Sequence, residues 1–322
     1  MKQFPAVGIV GAGLAVPELR LTNEELALRV NTSDEWIRSR TGISSRHILS
    51  NGTDTSDLAT LAGQRALDHA GLPPEAVDAV IVATVSADMP FPNAANQVQY
   101  KLGLRRGPAF DLSAACSGYI YALVTGSMMI QSGRAETVLV VGADALSKML
   151  DWEDRTTCVL FGDGAGATVL RPVEEGYGLL GANLGSDGAG GELLKVAPRP
   201  TELNGRSYIQ MAGREVFKFA VRIQAEACEA ALAEAGITAE QVDWLIPHQA
   251  NTRIIEAAAK GLGIPMERVY VNVDKYGNTS AASIPIALAE AIGAGTFKRG
   301  DHLLLVGFGA GLTWGAAVLR WQ

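Results

Sequence analysis

The stretch RALDHAGLPPEAVDAVIVAT, residues 65–84, returns 165 residues later as AALAEAGITAEQVDWLIPHQ, residues 230–249. Both read as a helix end, an Ala-Gly cap, a short turn, a Val-Asp pair and an apolar strand. Gly71 and Gly236 stand where a helix closes through a left-handed residue, a conformation that suits glycine. Asp78 and Asp243 keep the same spacing, and LVVG at 139–142 meets LLVG at 304–307 at the same offset. A constant offset across separate elements is the mark of a duplicated unit. The β-rich runs AVDAVIVAT, TVLVVGAD, CVLFGDGAGATVL, QVDWLIP and HLLLVGFGAG alternate with helical DLATLAGQRALDHAG and EVFKFAVRIQAEACEAALAEAG. That alternation predicts α/β layers with mostly buried strands. The chain therefore divides into two α/β halves, 1–174 and 175–322, joined near Pro172–Gly178.

The totals agree with two fused halves. The chain has 322 residues, 48% apolar and only 19% charged, a balance that builds a large core and excludes disorder. A net charge of −7 argues against a general nucleic-acid binder, though not against a local basic patch. Three cysteines in so long a chain make no disulfide framework, which points to a reducing, cytoplasmic setting. The N-terminal MKQFPAVGIVGAGLAVP has one lysine, and Pro5, Gly8, Gly11 and Gly13 break its apolar run, so it reads as a first strand rather than a signal peptide. No run reaches the length of a membrane span. GIVGAG at 8–13 is not a dinucleotide turn, because Pro17 falls where the phosphate-binding helix should continue. GDGAG at 162–166 lacks the Lys-Ser/Thr of a P-loop and reads as a turn between strands.

One stretch carries candidate chemistry. In FDLSAACSGYIYALVTGSMMI, residues 110–130, Cys116 stands among small residues at the head of an apolar helix. Unpaired N–H groups and the positive end of a helix dipole favour a thiolate there, although most lone cysteines are buried packing residues, and this stretch alone favours that reading. The offset carries Cys116 onto Ala281 in YGNTSAASIPIALAEAIGAG, residues 276–295, so Asn278 lies near its mirror position. The same offset carries His248 back onto Ala83, at the carboxyl end of a strand, where α/β sheets build their sites. The duplication thus offers a way to gather Cys116, His248 and Asn278 in one crevice. Such a set has two uses. The histidine can assist a cysteine nucleophile, or histidine and asparagine can donate together to a thioester oxygen and stabilise an enolate. His47, His69 and His302 read as ordinary. Cys158, in an apolar strand, and Cys228, on an alanine-rich helix, read as packing residues.

AACSG around Cys116, PHQAN around His248 and YGNTSAAS around Asn278 resemble the β-ketoacyl-acyl carrier protein synthase III family. NTSDEWIRSRTGI at 31–43, GDGAGA at 162–167 and GFGAGLTWG at 307–315 extend the resemblance along essentially the whole chain. It implies a thiolase fold: an α/β protein of two duplicated halves with central five-stranded sheets, layered α-β-α-β-α, working as a homodimer. It also implies the reaction. An acyl group passes from coenzyme A to Cys116, and malonyl-acyl carrier protein then decarboxylates and condenses with it, His248 and Asn278 assisting. The N–H of Cys116 and one from the Gly309–Ala310 turn would form an oxyanion hole, with Phe308 beside the nucleophile.

The resemblance assigns coenzyme A binding to Thr32, Trp36, Arg40 and Arg155 around the adenine, and to Met211, Gly213, Val216, Phe217, Ala250 and Asn251 along the pantetheine. A flat cation stacking on a purine suits the arginines. Phe91, with Met89 beside it, would close the acyl pocket of the partner subunit. An acidic carrier protein needs a basic patch, for which Lys218, Arg222, Arg253 and Lys260 are the candidates. Acyl-CoA enters as substrate; no permanently bound cofactor, metal, nucleic acid or membrane is implied. The alternatives are acyl transfer to an oxygen or nitrogen nucleophile in a secondary-metabolite pathway, a cysteine hydrolase, and a non-catalytic acyl-CoA binder. The retained Asn278, PHQAN and Arg253 favour condensation over the first, the duplicated architecture argues against the second, and the intact Cys116, His248 and Asn278 argue against the third.

Overall fold

A computed structural model describes residues 4–50, 52–104, 107–196 and 207–322. Two sheets form the frame. In the first, Val7–Ala15 pairs antiparallel with Asp163–Pro172, which pairs antiparallel with Val138–Ala145. Ala79–Ala83 and Ala109–Leu112 then follow in parallel. In the second, Trp244–Pro247 runs parallel to His302–Gly309, which pairs antiparallel with Thr313–Arg320 and then Gly178–Ser186. Among the described residues this second sheet has four strands where five were expected. Val269 makes a single bridge to Leu245, and beyond it the N–H groups of Asn272 and Val273 bond the side chain of Gln249 instead of a strand.

Strand alternation explains the layering. Val138 and Val140 face one way, with Ile81, toward the apolar helices Gly118–Gln131 and Ser283–Gly293. Leu139 and Val141 face the other way, with Val80 and Val82, toward the alanine stripe Ala59, Ala62 and Ala66 of the outer helix Thr55–Ala70. The second sheet repeats this. Leu303 and Leu305 join the middle layer, whereas Leu304 and Val306 meet Ala227 and Ala231 of the outer helix Gly213–Ala235. A residue period of two distributes each strand over both faces, and the result is helix, sheet, helix pair, sheet, helix: the layered α/β arrangement of the thiolase fold.

The offset of the sequence is visible atom by atom. Gly71 and Gly236 both close their helices at left-handed φ values of 65° and 70°. Asp78 N–H donates to Thr137 O and Asp243 N–H donates to His302 O, again residues 165 apart. The Cys116 segment Ala115–Ser117 and its mirror Ser280–Ala282 are both 3-10 turns leading into the two middle-layer helices.

Two expectations are corrected. GDGAG is not a turn: Asp163 to Gly166 lie inside a strand. Its glycines admit close neighbours, since a Cβ on Gly166 would lie 2.5 Å from Ile286 N, and one on Gly162 would lie 2.4 Å from Tyr276 O. Cys158 lies in a turn ahead of that strand, because the Asp154 carboxylate binds Thr156 N–H and the Thr157 hydroxyl and bends the chain there. The thiol is buried all the same.

Candidate active site

The duplication brings the two 3-10 turns face to face at the middle of the molecule. Ala115, Ser280 and Leu312 are the non-glycine residues of positive φ among the described residues, at 46°, 52° and 47°; Ala115 precedes Cys116 in the chain and Ser280 bonds its thiol. Backbone strain of this kind persists where the surroundings over-determine it, and it gathers at working sites. Here the bracing is explicit. Ser117 Oγ donates to Thr313 Oγ1 at 2.8 Å, and Thr313 Oγ1 donates to Ala114 O at 2.9 Å.

Cys116, His248 and Asn278 line one narrow cavity of about 90 Å3, together with Phe308, Gly309, Met211, Gly213, Val216, Phe217, Ala250 and Asn251. A wider apolar cavity of about 320 Å3 also borders Cys116, walled by Val85, Ala115, Leu146, Met149, Ile209, Ser280 and Ala310, with Phe161 and Leu194 shared between the two. Cys116 thus stands where a tunnel meets a pocket.

The bonds around each polar group fix what it can do. His248 Nδ1 lies 2.6 Å from Ser283 Oγ. That oxygen also accepts Gln249 N–H at 3.3 Å, so Ser283 holds the ring by its Nδ1 side and leaves Nε2 free of a protein partner among the described residues. Burial pulls the His248 pKa down to about 3, so the ring is neutral at physiological pH and acts as a donor. Phe308 meets it edge-on, 5.5 Å between centroids. Asn278 Oδ1 accepts Ser280 N–H at 2.9 Å, which leaves its NH2 as donor. Asn278 is held between Leu160 O and Gly162 N–H.

Cys116 differs from the sequence reading. Burial pushes its thiol up to about 12, against the thiolate that a helix start would favour. Its side-chain hydrogen-bond partner is Ser280 Oγ, 3.3 Å away.

The mirror relation also accounts for Gly309. Its counterpart in the first half is Asp144, whose carboxylate accepts the N–H of Ala281, the counterpart of Cys116. At Gly309 there is no side chain, and a Cβ would lie 2.5 Å from Cys116 N. The glycine therefore leaves in the second half the space at a backbone N–H that a carboxylate fills in the first.

Other sequence candidates fall in separate places. Arg40 and Arg155 each lie with their guanidinium carbon 5.0 Å from the Trp36 ring centroid, and Arg155 donates to Asn31 O. Thr32 precedes the helix Asp34–Thr41, which carries Trp36 and Arg40, and its Oγ1 is buried. These four do not line the narrow cavity. Lys218 is exposed on the helix that carries Phe217, Arg253 donates to Ser39 O at 2.9 Å, and Lys260 is exposed in the last turn of Thr252–Leu262. Arg222 is engaged by Glu226 at 3.2 Å and covers the Phe219 ring. Phe91 is 85% exposed and Met89 43%, and neither lines a cavity beside Cys116. Sequence reasoning missed Ser280, Ser283 and Asp144. The offset would have found them, since they mirror Ala115, Gly118 and Gly309.

Comparison with known proteins agrees with this geometry. Family models described as 3-oxoacyl-[acyl-carrier-protein (ACP)] synthase III and its C-terminal part match residues 110–188 and 232–321. The beta-ketoacyl-[acyl-carrier-protein] synthase III of Desulfitobacterium hafniense (strain DSM 10664 / DCB-2) is 53% identical, over 98% of both chains. Among solved structures, the 3-oxoacyl-[acyl-carrier-protein] synthase III of Aquifex aeolicus superposes with a TM-score of 0.93 at 50% identity, covering 98% of this chain and 100% of that one. The synthase III of Thermus thermophilus has a TM-score of 0.93 at 51% identity, covering 98% and 99%.

Proposed function

Because the chain belongs to the 3-oxoacyl-[acyl-carrier-protein] synthase III family, we propose that Cys116, His248 and Asn278 carry out the two half-reactions of that condensation. The enzyme is an acyltransferase that performs the initiating condensation of type II fatty acid synthesis. The observation that supports the residue assignment is the single cavity lined by all three side chains.

In the first half, the Cys116 sulfur attacks the thioester carbonyl of acyl-CoA, the carbonyl oxygen is held by N–H groups of Cys116 and the Gly309–Ala310 turn, and coenzyme A leaves as its thiolate. Phe217, Val216 and Asn251 line the route for its pantetheine arm, and Trp36, Arg40 and Arg155 receive the adenine end. The acyl chain enters the wider apolar cavity. In the second half, malonyl-acyl carrier protein follows the same tunnel. Its carboxylate leaves as carbon dioxide, and the resulting enolate oxygen is held by Nε2–H of His248 and the NH2 of Asn278. Neutral donors suit this step, which needs charge stabilisation and no base. The enolate carbon attacks the Cys116 thioester and gives the 3-oxoacyl-acyl carrier protein and the cysteine thiolate.

Exposed Phe91 and Met89 support a homodimer in which they close the partner's pocket, and Lys218, Arg253 and Lys260 support docking of an acidic carrier. The three free cysteines support a cytoplasmic setting. Acyl transfer to an oxygen or nitrogen nucleophile is not favoured beside relatives of about 50% identity that are condensing enzymes. Intact and peptide mass spectrometry after incubation with acetyl-CoA, isobutyryl-CoA or a longer acyl-CoA tests the assignment. An acyl adduct on the Cys116 peptide, absent in Cys116→Ser, is expected. An adduct elsewhere, or none, overturns it.

A further inference from the structure

Arg46, on the short strand Ser45–His47, is fully buried, yet no carboxylate pairs with it among the described residues. A guanidinium keeps its charge inside a protein, so burying one without a counter-charge is costly and calls for a reason. Its Nη2 donates to Val159 O at 2.8 Å, and its Nη1 donates to Asn23 Oδ1 at 2.9 Å and Leu21 O at 3.4 Å. Its Nε has no partner. Asn23 is fully engaged in turn, its amide donating to Asp34 Oδ1 and to Ile43 O, both at 2.8 Å. Arg46 lines neither cavity beside Cys116, so it does not touch substrate.

What Arg46 does touch is the seat of Asn278. Val159, whose carbonyl it binds, leads directly into the stretch that clamps that residue. Asn278 N–H donates to Leu160 O at 2.9 Å, Gly162 N–H donates to Asn278 O at 3.0 Å, and Phe161 bridges to Asn278 between them. The Arg46 stem lies against both sides of this clamp. A Cβ on Gly162 would stand 3.0 Å from Arg46 Cβ, and one on Gly277, the neighbour of Asn278, 3.2 Å from it. The Asn278 side chain is tied back to its own turn through Oδ1 and Ser280 N–H, so its NH2 goes where its backbone goes. The other polar groups of the site are held differently. His248 hangs on Ser283 Oγ and, through its N–H, on Val306 O at 2.7 Å, and the Cys116 turn is braced by Ser117 and Thr313.

We propose that Arg46 is a positioning residue for the second half-reaction alone: by fixing the 159–162 stretch and Gly277 it sets where the Asn278 NH2 meets the enolate oxygen. The inference rests on the reading of Asn278 as an enolate donor. In that step the malonyl C–C bond breaks, carbon dioxide leaves, and the electron pair stays on the enolate. Arg46 takes no proton in it. A planar fork suits the task, because it binds Val159 O and Asn23 Oδ1 in fixed relative directions, where the single ammonium of a lysine cannot. The fork thereby ties the Asn278 seat to the loop at Asn23, which no other bond of the site reaches. Acylation of Cys116 makes no use of Asn278, so it should be indifferent to Arg46.

The test separates the half-reactions in the full-length protein. Acylation by acetyl-CoA is read by quenched intact mass, and carbon dioxide release is then read after malonyl-acyl carrier protein is added to the acetylated enzyme. The variants are Arg46→Met, Arg46→Lys, Asn278→Ala and Arg46→Met combined with Asn278→Ala. A displacement near 1 Å costs about 10²-fold, so Arg46→Met is expected to slow carbon dioxide release by roughly that factor. Its acylation rate and its half-saturation by malonyl-carrier are expected to stay parental. The double variant is expected to release carbon dioxide no more slowly than Asn278→Ala, as for residues that act as a unit. Should Arg46→Met fail to fold, Arg46→Lys decides, since it keeps charge and stem and loses only the fork; the same selective loss, smaller in size, is expected. Parental carbon dioxide release in the Arg46 variants beside a slow Asn278→Ala overturns the role of Arg46. Equal losses in both half-reactions, or multiplied losses in the double variant, overturn it as well. Parental carbon dioxide release in Asn278→Ala overturns the donor assignment of Asn278 itself, and the inference with it.

Discussion

Substituting Gly309 by alanine isolates the feature by which the two halves differ most at the site. The backbone at Gly309 is extended, with φ −156°, so alanine adopts it freely and the effect is one of space alone. Its Cβ would lie 2.5 Å from Cys116 N and 2.9 Å from Ala115 Cβ, whereas ordinary contact begins at 3.4 Å. Both neighbours belong to a turn already strained at Ala115, so no flexible side chain can absorb the deficit, and the turn or the strand end must move by roughly 0.9 Å. A displacement near 1 Å costs about 10²-fold in rate, and loss of an oxyanion donor costs about 10²- to 10³-fold. The overpacking itself should cost about 1–3 kcal/mol of stability. Single-turnover acylation of Gly309→Ala by acetyl-CoA should therefore slow by about 10²- to 10³-fold while the protein remains folded by circular dichroism. Gly293→Ala serves as the control, since its Cβ meets nothing within 4 Å. Acylation of Gly309→Ala within about threefold of the parent would refute the reasoning that the glycine keeps the Cys116 N–H open to substrate.

The neutral, buried His248 makes a statement about acid stability. Between the ordinary histidine value of 6.5 and about 3, the unfolded chain takes up a proton that the native ring refuses, so stability falls as pH falls through that window. The residue's share is roughly 1.4 kcal/mol per pH unit. Relative to His248→Gln, the parent should lose roughly 2–3 kcal/mol between about pH 6 and pH 4 in urea unfolding; parallel profiles would contradict a neutral buried ring. Trp36→Ala should raise KM for acyl-CoA about tenfold with kcat retained, a loss in the range of a cation–π and stacking site; an unchanged KM would remove Trp36 from the coenzyme A path. Arg253→Glu combined with Lys218→Glu should raise KM for malonyl-acyl carrier protein in a salt-dependent way and leave acylation by acyl-CoA unaltered. A KM equal to the parent's would place carrier docking elsewhere.

The repeat at 65–84 and 230–249 made most of the fold legible, because a duplicated sequence repeats its caps, strands and contacts at one offset. It also places Asn278 near the mirror position of Cys116, just ahead of the turn Ser280–Ala282. What stayed hidden depends on partners distant in the chain. GDGAG looks like a turn because five small and acidic residues satisfy turn chemistry; ladders to Val7–Ala15 and Val138–Ala145 make it a strand, and the approach of Pro285 and Ile286 is what its Gly166 accommodates. Among the described residues the second sheet stops at four strands, and there the Gln249 side chain bonds the backbone at 272–273. Helix-start chemistry favoured a Cys116 thiolate, yet the burial that opposes it comes from two cavities' walls supplied by both halves. Ser280, Ser283 and Asp144 are ordinary in sequence. Their meaning arises when the two turns meet across a pseudo-symmetric centre.

The most direct measurement is of products. Incubate the protein with acetyl-CoA and malonyl-acyl carrier protein, measure carbon dioxide, free acetate and the mass on the carrier's prosthetic arm, and repeat with Cys116→Ser. The account requires equal amounts of carbon dioxide and 3-oxoacyl-carrier from the parent and none of the condensed product from the variant. Free acetate without carbon dioxide, or a condensed product from Cys116→Ser, would contradict it.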